Sequence, residues 1–126
     1  ARGALALPRF DKRRLTEEDF AAVNRARAII DEDLSAAPKI SELSRMTSTS
    51  AAKLQNDFQR AFGSTIHGYV VKARMEEALH RIDSSDEPIY VISKSVGCKN
   101  PSRFAELFKK AYGLTPLEYR NLKNRG

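Results

Sequence analysis

Apolar residues return along this chain at intervals of three and four, the spacing that gathers one face of an α-helix. Phe20, Val23, Ile30 and Leu34 mark a first helix that ends near Ser35, with Arg25 and Asp31 left in solvent. Thr16 and Asp19 frame its start as a capping box in which Asp stands where Glu or Gln is usual, and Glu17 and Glu18 suit its positive end. Pro38 opens a short helix through Ile40, Leu43 and Met46. The run Thr47, Ser48, Thr49, Ser50 ends it, because these hydroxyls compete for backbone hydrogen bonds, and supplies a cap for the next helix, Ala51–Phe62. In that helix Leu54, Phe58, Ala61 and Phe62 share one face. Ala52, Asn56 and Gln59 point the opposite way, flanked by Gln55 on one side and by Lys53 and Arg60 on the other. Thr65 opens the longest helix, 65–84, with Ile66, Tyr69, Val70, Ala78 and Ile82 among its apolar positions.

The second half repeats the first. After a turn that ends at Pro88, a short helix from Ile89 stops near Gly97; a second is opened by Asn100 and Pro101 and closed by Gly113. Its buried stripe is Phe104, Phe108, Ala111 and Tyr112, and its outward face carries Ser102, Arg103, Glu106, Lys109 and Lys110. Thr115, Pro116 and Glu118 form a capping box for a last helix, which turns Leu117 and Tyr119 to the core and runs into Lys123 and Arg125. Leu54, Phe58, Ala61, Phe62, Gly63, Thr65 and Tyr69 precede Phe104, Phe108, Ala111, Tyr112, Gly113, Thr115 and Tyr119 by a constant offset of 50. Upstream of the turn, Ile40 and Leu43 precede Ile89 and Ile92 by 49, so the two turns differ in length by one residue. The chain is a duplicated helix-turn-helix unit.

Composition narrows what such a unit can meet. At 126 residues and 41% hydrophobic content the chain can bury a core, and its formal charge of +6 makes a polyanion the first partner to consider. Cys98 is the only cysteine, so neither an internal disulfide nor a multi-cysteine metal site can form, and a reducing compartment, the cytoplasm, is expected. No apolar run approaches the length of a membrane span. His67 and His80 have no motif partners and no glycine-rich phosphate loop or nucleophile elbow occurs, so the expectation is a protein that is not an enzyme and needs no metal or cofactor.

From Gly97 onward the residues follow a recognisable pattern: Ser102, Phe104, Phe108-Lys109-Lys110, Gly113, Thr115-Pro116 and Tyr119-Arg120. With these the sequence resembles the C-terminal DNA-binding domain of the AraC/XylS transcription regulators, over about residues 16–122. The resemblance implies an all-α fold of seven helices, two helix-turn-helix subdomains joined by a long linker helix. The expected divisions are 1–14, a basic linker or tail from a preceding domain; 15–64, the first subdomain; 65–84, the connecting helix; and 85–126, the second subdomain. It also implies a bacterial transcription regulator, monomeric as this domain, that binds double-stranded promoter or operator DNA and contacts RNA polymerase if it is an activator; the sequence leaves open whether it activates or represses and whether the full-length protein is dimeric. Cys98 stands where the family carries an aromatic, and Glu106 places an acid on a face meant for DNA.

A recognition helix enters the major groove with its first two turns near base edges. That nominates Ala52, Gln55 and Asn56 in the first unit: Gln and Asn can pair bidentately with adenine and Ala52 can touch a thymine methyl, so an A/T-containing half-site is expected. In the second unit the candidates are Ser102, Arg103 and Glu106, for guanine or phosphate and for cytosine respectively where Arg and Glu are concerned. Ser50, Lys53, Gln59, Arg60, Asn100, Lys109 and Lys110 are assigned to phosphates. The connecting helix, about 30 Å long, is close to the roughly 34 Å between major grooves one turn apart. The rival reading is a helical protein-interaction module, for example one that contacts polymerase, without sequence-specific DNA binding of its own.

Overall fold

The computed structural model describes residues 14–125, and all regular structure among them is helical. The expected basic tail lies, for residues 1–13, outside the described residues. Seven α-helices follow in order: α1 (Glu17–Glu32), α2 (Ile40–Thr47), α3 (Ala51–Phe62), α4 (Ile66–Ser84), α5 (Ile89–Ser95), α6 (Pro101–Tyr112) and α7 (Pro116–Arg125). None of them is long and apolar enough to cross a membrane.

The described residues divide into two compact units, one formed by those up to Ile29 with Pro38–Ile66, the other by Ile30–Ala37 with those from His67 onward. The first unit buries Val23, Ala26, Leu43, Leu54 and Phe58, with Phe62 set edge-on to Phe58 at 4.7 Å and Arg27 stacked over the Phe62 ring at 4.5 Å. The second unit gathers Met75, Ala78, Ile82, Ile92, Val96, Phe104 and Phe108 into one cluster, against which Cys98 and Tyr119 pack.

Local chemistry sets the helix ends. Thr16 and Asp19 exchange hydrogen bonds, each backbone N–H donating to the other's side chain at 3.0 Å, and Thr115 and Glu118 do the same at 2.9 and 3.1 Å. The helix α1 stops at Glu32, three residues short of the expected end, and a separate 3-10 turn, Leu34–Ala36, follows. Its inward positions are Asp19, Val23, Ala26 and Ile30, so Phe20 stays largely in solvent. Three other apolar residues expected inside also lie toward solvent: Ala111 and Tyr112 are exposed, and Leu117 is 58% exposed. In α7 the inward side is Pro116, Tyr119 and Arg120; the Arg120 guanidinium donates to the carbonyls of Ser85 and Glu87, and Lys123 donates to that of Asp83 at 2.6 Å.

Each recognition-type helix is followed by a tyrosine that donates to an aspartate. Tyr69 donates to Asp31 at 2.6 Å and Tyr119 to Asp83 at 2.7 Å. The hydrogen bond to Asp83, then burial, then the charge of Asp83 hold the Tyr119 phenol above its ordinary pKa. A pKa raised on folding contributes stability in full below the unfolded value, about 10, and loses it as pH rises through the higher folded value. Tyr119→Phe is therefore expected to be less stable than wild type at pH 8, with the gap between their urea midpoints narrowing at pH 11; a gap that stays constant would contradict this account.

Candidate nucleic-acid interface

The two turns are built by the same bonds. In the first, the Ser44 hydroxyl donates to the carbonyl of Thr49 at 2.5 Å, and the Thr49 N–H donates to the Ser44 carbonyl at 3.0 Å. In the second, the Ser93 hydroxyl donates to the Cys98 carbonyl at 2.5 Å, and the Cys98 N–H donates to the Ser93 carbonyl at 2.9 Å. Ser48 at φ 54° and Gly97 at φ 97° give each turn its left-handed residue. All these pairs keep the offset of 49, while the following caps, Ser50 and Asn100, are 50 apart, so the extra residue of the second turn is Lys99. Cys98 thus takes the place of Thr49, where its backbone does the work and its side chain joins the core.

The caps then orient the helices. Ser50 Oγ accepts from the Lys53 N–H at 3.2 Å, and Asn100 Oδ1 accepts from the N–H groups of Ser102 and Arg103 at 2.9 and 3.2 Å. These amides therefore face the caps. With Leu54 and Phe58 buried, α3 exposes Ala52, Gln55, Asn56 and Gln59; with Phe104 and Phe108 buried, α6 exposes Ser102, Arg103, Glu106, Lys109 and Lys110. Within each unit the residues assigned to bases share one open helix face. Arg103 and Glu106 approach each other across that face at 3.6 Å, a solvated pair worth little in free energy that tempers the acid on the DNA side.

Lys53 and Arg60 meet carboxylates of their own unit. The Lys53 ammonium lies 2.8 Å from Asp19 and 2.7 Å from Asp57, and the Arg60 guanidinium lies 3.5 Å from Asp57. The Asp57 side chain is 2% exposed and that of Arg60 13%. Both cations are thereby turned toward carboxylates of their own unit; Lys53 binds α3 to the start of α1 through Asp19, while the Arg60–Asp57 pair lies within α3. The spacing of Lys53 and Asp57, four apart on a helix, was a signal in the sequence for this pairing. No comparable signal marked Asp19, which reaches Lys53 only in the folded chain.

Among the described residues no cluster of His, Cys, Asp and Glu could hold a metal ion. The profile of the helix-turn-helix domain family matches residues 43–122, which takes in both turns and both exposed helix faces. The chain belongs to the AraC/XylS helix-turn-helix family. It is 30% identical over 86 residues to the xylose operon regulatory protein of Escherichia coli K12, covering 68% of this chain and 22% of that protein. Its fold is similar to the C-terminal domain of the two-component response regulator yesN from Fusobacterium nucleatum, with a TM-score of 0.72 at 30% identity over 79% of this chain and 98% of that one. It is likewise similar to the DNA-binding domain of the global transcriptional factor AdpA, solved in complex with a target DNA, with a TM-score of 0.75 at 19% identity over 80% of this chain and 91% of that one. This AraC/XylS chain spans less than half the length of the curated relatives it matches.

Proposed function

We propose that this chain is the sequence-specific DNA-binding part of a transcription regulator, with α3 and α6 each laid in a major groove of one duplex. The observation that carries this reading is the turn built twice from equivalent bonds, each followed by a capped helix that buries its aromatic side and leaves a polar side open. Ala52, Gln55 and Asn56 read one half-site, with adenine and thymine among its bases; Ser102, Arg103 and Glu106 read the other. Gln59, Lys109 and Lys110, with the caps Ser50 and Asn100, set the helices against phosphates, whereas Lys53 and Arg60 serve first as struts behind α3. The length of α4, 19 residues or about 28 Å, suits half-sites on successive grooves. The protein works where the chromosome is, in the cytoplasm, with this domain monomeric. Activation through RNA polymerase fits the polar surface left outside the two reading helices.

Selection of binding sites from a randomised duplex, followed by a footprint, tests this reading. Two protected stretches about one helical turn apart are expected. Gln55→Ala and Asn56→Ala are each expected to cost about 1–3 kcal/mol of binding and to relax preference at one or two base pairs, while Lys109→Ala weakens all sequences alike. A selection that returns no consensus, or variants that cannot be told apart in it, would end the assignment of these roles.

A further inference from the structure

Within the second unit a cleft of about 520 Å³ runs between α4 and α6. Its lining includes the apolar Val71, Met75 and Leu107, together with Lys72 of α4 and Arg103 and Lys110 of α6. The acidic side chain lining it is Glu76, which lies toward Tyr112: burial first, and then the Glu76 charge, hold that phenol above its ordinary pKa. Among the described residues neither Lys72 nor Lys110 is held by a carboxylate, and both are exposed. Cations that converge over a low-dielectric wall repel one another and focus a positive potential outward, which an entering anion relieves. Arg103 and Lys110 also belong to the open face of α6, so an anion at the cleft is continuous with a duplex lying on that face.

We propose that this cleft seats a phosphodiester: the DNA strand bordering the groove read by α6 passes over its mouth, and Lys72 from α4 and Lys110 from α6 hold one phosphate from its two sides. The inference rests on the DNA-binding reading above and adds to it that α4, beyond spacing the two reading helices, itself touches the backbone. A free small anion would use the same charges but gains nothing from the continuity with α6.

The test is equilibrium binding to the selected duplex and to a random one as salt is varied, for the wild-type chain, Lys72→Gln, Lys72→Arg and Lys94→Gln. Lys94 is exposed on α5 and does not line the cleft, so it controls for loss of general charge. Lys72→Gln is expected to weaken both duplexes roughly three- to tenfold at moderate salt and to flatten the log–log salt slope by about 0.9, the release of one counterion. Lys72→Arg keeps the wild-type slope and Lys94→Gln leaves it unmoved. A Lys72→Gln slope equal to wild type, or an equal loss from Lys94→Gln, overturns the phosphate seat while leaving the reading of α3 and α6 standing. If the wild-type chain itself fails to bind duplex, the proposed function falls and this inference with it.

Discussion

Gly97→Ala is expected to cost roughly 3 kcal/mol or more of folding stability, against about 1 kcal/mol for Gly113→Ala. Both glycines occupy the left-handed region, at φ 97° and 87°, where a side chain is strained whatever surrounds it. The difference lies in the space. A Cβ on Gly97 would come within 2.9 Å of both the Cα and the carbonyl oxygen of Ser35 and within 3.0 Å of the Arg74 guanidinium carbon, whereas a Cβ on Gly113 meets nothing within 4 Å. Two of the three obstacles are backbone atoms, and the third is fixed because Arg74 Nε donates to the Leu34 carbonyl at 2.9 Å. Alanine at 97 must therefore lift the 3-10 turn off the α5–α6 turn. Urea unfolding of the two variants measures the contrast, and equal midpoints would sink it. The turn before α3 shows the same logic from the other side, since Ser48 holds the equivalent left-handed position with a side chain in solvent.

That crowding was invisible along the chain. Gly97 reads there as an ordinary stop after a helix, and nothing about Ser35 or Arg74, far away in number, says that they close over it. What could be read was local: capping boxes at Thr16 and Thr115, the stop at Gly63 and Gly113, and the apolar stripes of α3 and α6 depend on neighbours within a turn or so of helix. The duplication was legible for a further reason, because equal offsets survive where both copies answer the same packing demand. Hydrophobicity misplaced Leu117 because α7 is held by polar bonds from Arg120 and Lys123 to carbonyls of the 83–87 turn, which apolar periodicity does not register. In the candidate site the exposed faces were legible, since they are what remains once Phe58 and Phe108 are inside. The engagement of Lys53 and Arg60 was not, because a lysine beside a groove-reading helix looks the same in sequence whether it reaches a phosphate or a carboxylate of its own unit. Lys72 is illegible along the chain for the complementary reason: its interest comes from α6 across the cleft.

Asp57→Ala is expected to cost about 3 kcal/mol, a loss comparable to removing a core side chain although nothing apolar is deleted. The Asp57 carboxylate, 2% exposed, receives both Lys53 and Arg60, so its removal takes a buried counter-charge from two cations at once. Desolvating these charges was unfavourable when the chain folded, and their mutual placement helps to offset it; taking out one partner removes part of that offset while the cost stays. Lys53→Met should be destabilising in its turn, because it removes the cation that links Asp19 to Asp57. Replacing both charges together, as Lys53→Met with Asp57→Leu, removes the pair and substitutes apolar volume, so the double variant is expected to be distinctly more stable than the sum of the single losses predicts. A cycle in which the losses simply add would show that the network is a set of independent surface contacts. The same cycle speaks to recognition. Lys53 ties the base-reading helix α3 to the capped start of α1 through Asp19 and is itself held by Asp57, so the single variants should lose discrimination among selected sites as well as stability, and measuring both on one set of proteins separates a strut behind α3 from a lysine that only touches phosphate.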